Sequence, residues 1–136
     1  MLTDLLTCHG HFIIEVEDNH IYTELYESFN DVGVQRWIDG MKLAIEQMAG
    51  KPFTILVNEK AATGATPEAL ELANEYNEWL NQQALIAKAV VYSEEVFKQI
   101  DISNLPARKQ QNIRFFDDTQ AADSWLAEEI NLNRLS

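Results

Sequence analysis

The chain has 136 residues, 46% of them hydrophobic, a single cysteine and a formal net charge of −12. That is the length of one ordinary domain with apolar residues enough for its own core, and the lone Cys8 excludes an internal disulfide framework. Residues 1–35 carry Asp4, Glu15, Glu17, Asp18, Glu24, Glu27 and Asp31 but no lysine or arginine, which argues against DNA, RNA and anionic membrane surfaces as partners, because contacts to phosphate dominate that affinity.

The remaining acidity reads most simply as a means of staying soluble. No charged-then-apolar leader opens the sequence, and no apolar run approaches the roughly 18 residues that span a bilayer. The expectation is a cytoplasmic protein.

In chain order, His11 to Glu17 alternates with Phe12, Ile14 and Val16 on one face. The run from Ile21 sets Ile21, Thr23, Leu25 and Glu27 against Tyr22, Glu24 and Tyr26. Asp18-Asn19 between them is a turn pair, so an antiparallel hairpin is predicted. Asn30 or Asp31 can cap the next helix, over about Val32 to Ala49. There Val34, Trp37, Ile38, Met41, Ile45 and Met48 recur at spacings of three and four. Gly40 interrupts the stripe as a point where a strand or ligand could come close, and Gly50 is the stop signal.

Phe53 to Val57 is short, apolar and β-branched, the mark of a central strand buried on both faces. A small-residue loop, Glu59 to Thr66, is then predicted, with Thr66 as N-cap and Pro67 as first residue of a second helix. That helix turns Ala69, Leu72, Ala73, Tyr76, Trp79 and Leu80 inward. Ile86 to Tyr92 reads as the next strand, Ser93 to Ile100 as a short helix, Ala107 to Gln111 as a further helical turn and Ile113 to Phe116 as the last strand. Asp117 or Asp118 caps a final helix burying Ala122, Trp125, Leu126 and Ile130. The whole is an α/β domain over residues 1–130 with a frayed tail at 131–136. Its mixed, mostly parallel sheet has about five strands, an antiparallel hairpin first and four or more helices, because alternating strands and helices pair in parallel through right-handed crossovers.

Phe29-Asn30, Lys51 through Asn58, Tyr76-Asn77-Glu78-Trp79-Leu80, Lys88-Ala89-Val90-Val91 and Phe115-Phe116-Asp117 with Ala121-Ala122 and Trp125-Leu126 together resemble the STAS fold, within it the SpoIIAA-like group. The likeness spans nearly the whole chain and implies a non-enzymatic regulatory module that binds another protein. In the anti-sigma factor antagonists of this fold, a serine at the start of the helix after the central strand is phosphorylated by a partner kinase, usually in an Asp-x-Ser setting. Asn58 to Thr66 contains neither serine nor aspartate, and only Thr63 and Thr66 offer hydroxyls. Other relatives look like modules for apolar or lipid-like ligands, which supplies a second reading.

The candidate sites follow from these elements. The segment Glu59–Thr66 leaves the C-terminal end of a central strand and enters a helix N-terminus, where open α/β sheets bind and unpaired N–H groups favour an anion. Thr63, Gly64 and Thr66 are therefore the candidate partner-docking surface, against the plainer reading that Thr66 only caps. Tyr26, Trp37, Tyr76 and Trp79 are candidates to line a ligand pocket, although aromatic residues at helical spacing also suit a core. Glu68, Glu71, Glu75 and Glu78 form either a solvated face or a docking face for a basic partner. The hairpin edge, with Tyr22 and Tyr26, suits a homodimer. Cys8, His9 and His11 lie within four residues, with His20 across the hairpin, and His9 and His11 share one side of a strand, but no Cys/His pair elsewhere completes a tetrahedral set; no nucleophile–base motif occurs, and neither metal, cofactor nor enzymatic activity is expected.

Overall fold

The hairpin forms as expected, β1 (His11–Glu17) pairing antiparallel with β2 (His20–Phe29) from His11–Tyr26 to Glu17–His20. Residues 9–92 and 105–135 are those described by this computed structural model. Asp18 takes a left-handed conformation, φ 52°, in the tight turn, which an aspartate tolerates better than most residues. Alternation puts Ile21 and Thr23 of β2 in the core and leaves His11, Ile13 and Glu15 of β1 exposed.

Helix α1 (Asp31–Glu46) starts where Asn30 Oδ1 accepts from Gly33 N at 2.9 Å. The same oxygen accepts from His9 N at 3.1 Å, tying the strand approach to the helix start. Val34, Trp37, Ile38, Met41 and Ile45 make its buried stripe, and Ala49 and Gly50, φ 55° and 82°, turn the chain away. Gly40 faces the hairpin: a Cβ there would stand 2.7 Å from Ile14 Cδ1, so the close approach foreseen at this glycine is made by β1.

Strand β3 (Phe53–Ala65) is the centre of the sheet, whose order is β1-β2-β3-β4-β5. Phe53 to Asn58 are buried. β4 (Leu85–Val91) and β5 (Ile113–Phe116) continue the sheet, and every pairing after the hairpin is parallel. Helix α2 (Pro67–Leu80) begins at the Thr66 cap, whose hydroxyl accepts from Ala69 N at 3.2 Å. A 3-10 turn, Pro106–Gln110, precedes β5, and α3 (Thr119–Leu135) starts with Asp118 accepting from Gln120 N and Ala121 N.

Helices α1 and α2 cover one face of the sheet in a core that includes Ile21, Trp37, Met41, Ile55, Tyr76 and Val90. Helix α3 covers the other, seating Ala122 and Leu126 on Leu56, Ala87, Ala89 and Val91. A lysine sits inside the central layer. Lys88 on β4 is 1% exposed and donates to Asn77 Oδ1 of α2 at 2.7 Å; a buried polar group is tolerable where it is hydrogen-bonded.

Three expectations change. Glu59 to Ala65 is not a loop: it continues β3, pairing Tyr26 with Ala61, Glu27 with Ala62, Ser28 with Gly64 and Phe29 with Ala65. The reason is the length of β2, which runs to Phe29 and offers an edge that small residues can follow. Two register shifts, after Glu24 and after Glu27, absorb the mismatch, with Glu27 at φ 65°. Second, three α-helices and one 3-10 turn are present among the described residues instead of four or more helices; the segment expected to form a helix from Ser93 to Ile100 lies outside them. Third, residues 131–135 continue α3 where a frayed tail was expected.

Candidate functional site

The extension of β3 forms one wall of a cavity. Leu25 and Phe29 of β2, Val34 and Trp37 of α1, and Ala69, Leu70 and Ala73 of α2 supply apolar walls around Ala62 to Ala65. The cavity measures about 240 Å³. It exists because alanine, glycine and threonine occupy the extension and alanines occupy the facing turns of α2, so opposing backbones are held apart by few side-chain atoms.

Its polar lining comes from four elements. Glu59 on β3 accepts from Arg108 Nη2 of the 3-10 turn at 3.3 Å, both largely buried, with side chains 15% and 7% exposed. Asn77 of α2 donates to the Ala73 carbonyl at 2.8 Å and accepts from Lys88 Nζ and Gln111 Nε2. Thr63 shares a 2.7 Å hydrogen bond with Ser28. Trp37 keeps its indole N–H on Thr23 Oγ1 at 2.9 Å.

The predicted docking residues divide accordingly. Thr63 and Gly64 line the cavity, on a strand and not a loop. Thr66 stands just beyond it, donating its N–H to the Phe29 carbonyl and capping α2. The four aromatic residues proposed for one pocket do not line one together: Trp37, Tyr76 and Trp79 pack on one another and Tyr26 stands apart. Trp37 alone of them lines the cavity. Tyr76 packs edge-on against Trp37 at 5.1 Å and lies under Trp79 at 6.1 Å, with Lys42 5.1 Å above the Trp79 ring. Burial pushes the Tyr76 phenol well above its ordinary range, as expected of a ring in the core. Tyr26 points to the opposite face of β2, since its neighbours in the alternation are Tyr22 and Glu24. That separation follows from period two: Tyr26 and the inward-facing Leu25 cannot share a side.

On that opposite face, Tyr22 donates to Glu24 Oε1 at 2.5 Å and Tyr26 to Glu24 Oε2, while Asn58 Nδ2 donates to Tyr22 Oη at 3.1 Å. The two phenols hold the Glu24 carboxyl below its usual range. Tyr22 is raised first by burial and then by Glu24, and Tyr26 chiefly by its bond to Glu24. At the far end of the sheet a broader hollow of about 680 Å³ has Glu17, Asp18, His20 and Arg134 on its rim. His20 shares a 2.8 Å hydrogen bond with Thr54 Oγ1, and desolvation lowers its pKa against the opposing pull of Asp123 and Glu17.

His9 and His11 sit at one end of the hairpin and His20 at the other, and His11 lies 3.8 Å from Glu27. Cys8 is outside the described residues. Glu59, Asn77 and Arg108, the polar members of the cavity, were not singled out as a site in the sequence. Arg108 and Lys109 are the one adjacent pair of basic residues in the sequence, and nothing in that pairing says that Arg108 is buried.

No family model matches the chain, and no curated protein matches it at the level of sequence. Among solved structures it is similar to an uncharacterized protein of the DUF3478 family with a SpoIIAA-like fold from Shewanella loihica. The two share a TM-score of 0.65 at 12% identity, over 88% of this chain and 94% of that one. The chain therefore has a SpoIIAA-like fold. No helix among the described residues is long and apolar enough to cross a membrane.

Proposed function

We propose that this protein is a non-enzymatic binding module that takes a small apolar ligand between α1, α2 and the extension of β3. The observation that carries the reading is the apolar cavity of about 240 Å³ walled by Leu25, Phe29, Trp37 and the alanines of α2. Concave, mostly apolar sites with a few placed polar groups are where small molecules bind. The test is native mass spectrometry of the purified protein, followed by titration with a small uncharged fluorescent dye such as 1-aminonaphthalene. A bound apolar molecule, or dye binding that an Ala62→Leu variant abolishes, supports the reading; a bare chain that ignores the dye defeats it.

A regulatory protein-docking module is the second reading. It is favoured by the exposure of Glu68, Glu71, Glu75 and Glu78 along the outer side of α2, which gives a basic partner a face to meet. A SpoIIAA-like fold is compatible with such a role. Thr63→Glu and Gly64→Arg, checked for folding by circular dichroism, should lose a partner that the parent chain recovers in a pull-down. Unchanged recovery by both variants would count against docking at this surface.

A further inference from the structure

The sheet ends unevenly. At one side β5 is four residues long, whereas at the other β1 is seven residues long and pairs with β2 without a register shift. Among the described residues β2 is the only strand that β1 pairs with. Sheet proteins protect such an edge with a short strand, proline, lysine or a bulge, and His11–Glu17 has none of these. The Thr23 hydroxyl donates to the Ile13 carbonyl at 2.8 Å, so Ile13 turns its backbone towards β2. By alternation, Phe12, Ile14 and Val16 turn their N–H and C=O groups to the outer edge.

Ile13 and Val16 are 39% and 46% exposed. Their partners in the hairpin are Glu24 and Ile21, so the two stand on opposite faces of the sheet. A partner laid on either face would cover one of them, whereas a strand added at the edge flanks both. The sequence of β1 fits a second copy of itself in that place. About a two-fold axis at Ile14, an antiparallel neighbour sets His11 against Glu17, Phe12 against Val16 and Ile13 against Glu15. An imidazole meets a carboxylate at both ends, apolar side chains meet on the α1 side, and all seven residues are paired. An axis at Glu15 would set that carboxylate against itself, which is unfavourable, and one at Ile13 would leave Val16 and Glu17 beyond the neighbouring strand. We propose that two copies of this chain pair antiparallel along β1 about Ile14, joining two five-stranded sheets into one. Such a contact is self-complementary and closes on itself.

Sedimentation velocity at high micromolar concentration tests it, in about 0.3 M sodium chloride to screen the repulsion between two chains of charge −12. The parent should sediment at twice the 15.5 kDa of one chain. Val16→Lys installs the edge lysine that the strand lacks and sets it against Phe12 of the second copy; it should sediment as a monomer with the circular dichroism of the parent. Register is read separately, from cysteines placed on a Cys8→Ser background. Mixed under air, Ile13→Cys and Glu15→Cys chains should cross-link to each other and neither to itself, since directly opposed residues bring their Cβ atoms within disulfide reach. A monomer mass for the parent, or a dimer that Val16→Lys leaves intact, would overturn the pairing. Self-linking of either cysteine variant would overturn the axis at Ile14.

Discussion

A methyl group added at Gly33 would stand 1.9 Å from the His9 carbonyl oxygen, a backbone atom, whereas one at Gly40 would meet only the tip of Ile14 at 2.7 Å. The first neighbour cannot yield without moving the chain that the Asn30 cap also holds; the second can change rotamer. Gly33→Ala should therefore lower stability by about 1–3 kcal/mol. Gly40→Ala should stay within about 1 kcal/mol of the parent, because the gain in helix propensity offsets the crowding. Urea denaturation of the pair checks this, and equal midpoints would refute it. Gly40 could be read from the sequence because it breaks a helical stripe. Gly33 could not, since its constraint comes from a strand-entry residue more than twenty positions away. His20 makes a second prediction at this scale. Its folded pKa is lowered, so the unfolded chain binds the proton more readily, and stability rises with pH wherever that is so. The contribution is complete above the ordinary histidine range and is lost as pH falls through the depressed folded pKa. The urea midpoint should drop on acidification below about pH 6.5, and less so in His20→Asn. An identical drop in both proteins would place the proton elsewhere.

At the scale of elements, the helices and buried strands were legible because each has its own period and punctuation. Asn30, Thr66-Pro67 and Asp118 begin helices by chemistry visible in three or four residues. The extension of β3 was not legible. Ala61 through Ala65 looks like a turn by composition, and it becomes a strand only because β2 is long enough to pair with it. The buried pair Glu59–Arg108 fastens that extension to the 3-10 turn. Arg108→Leu leaves Glu59 without this partner and should cost about 3 kcal/mol or more, with Glu59→Leu in the same chain recovering much of the loss. A double-mutant cycle in urea measures this, and purely additive losses would refute the coupling. The exposed face of α2 behaves differently. Glu75 has Glu71 and Glu78 as like-charged neighbours, and Glu75→Lys should raise stability by a few tenths of a kcal/mol, a shift that added salt would shrink.

Over the whole molecule, the order of hydrophobic blocks translated directly into sheet order. Successive parallel strands joined by short crossovers lie next to one another, which is the observed β2-β3-β4-β5 series. What could not be translated is the cavity. Its walls come from β2, α1, β3, α2 and the 3-10 turn, and no short stretch of sequence records where five elements leave a gap. The net charge of −12 acts at this scale too. Like charges spread over one small domain oppose compaction, and salt screens them within about 10 Å at 0.1 M. The melting temperature should therefore rise between 10 mM and 0.3 M sodium chloride. A flat or falling profile would mean that local ion pairs outweigh the overall repulsion.

The two halves of β3 have different neighbours. Phe53 to Asn58 is flanked by β2 and β4, whereas Ala61 to Ala65 pairs with β2 alone among the described residues. Backbone amides in the first half can exchange with deuterium only when the sheet itself comes apart. Those in the second half can exchange by peeling away from one neighbour, a far smaller opening. The strand is continuous in shape but divided in how long its protons are kept, and the boundary falls where the cavity begins. A molecule lodged against Ala62 to Ala65 would have to slow the fast half while leaving the slow half unchanged.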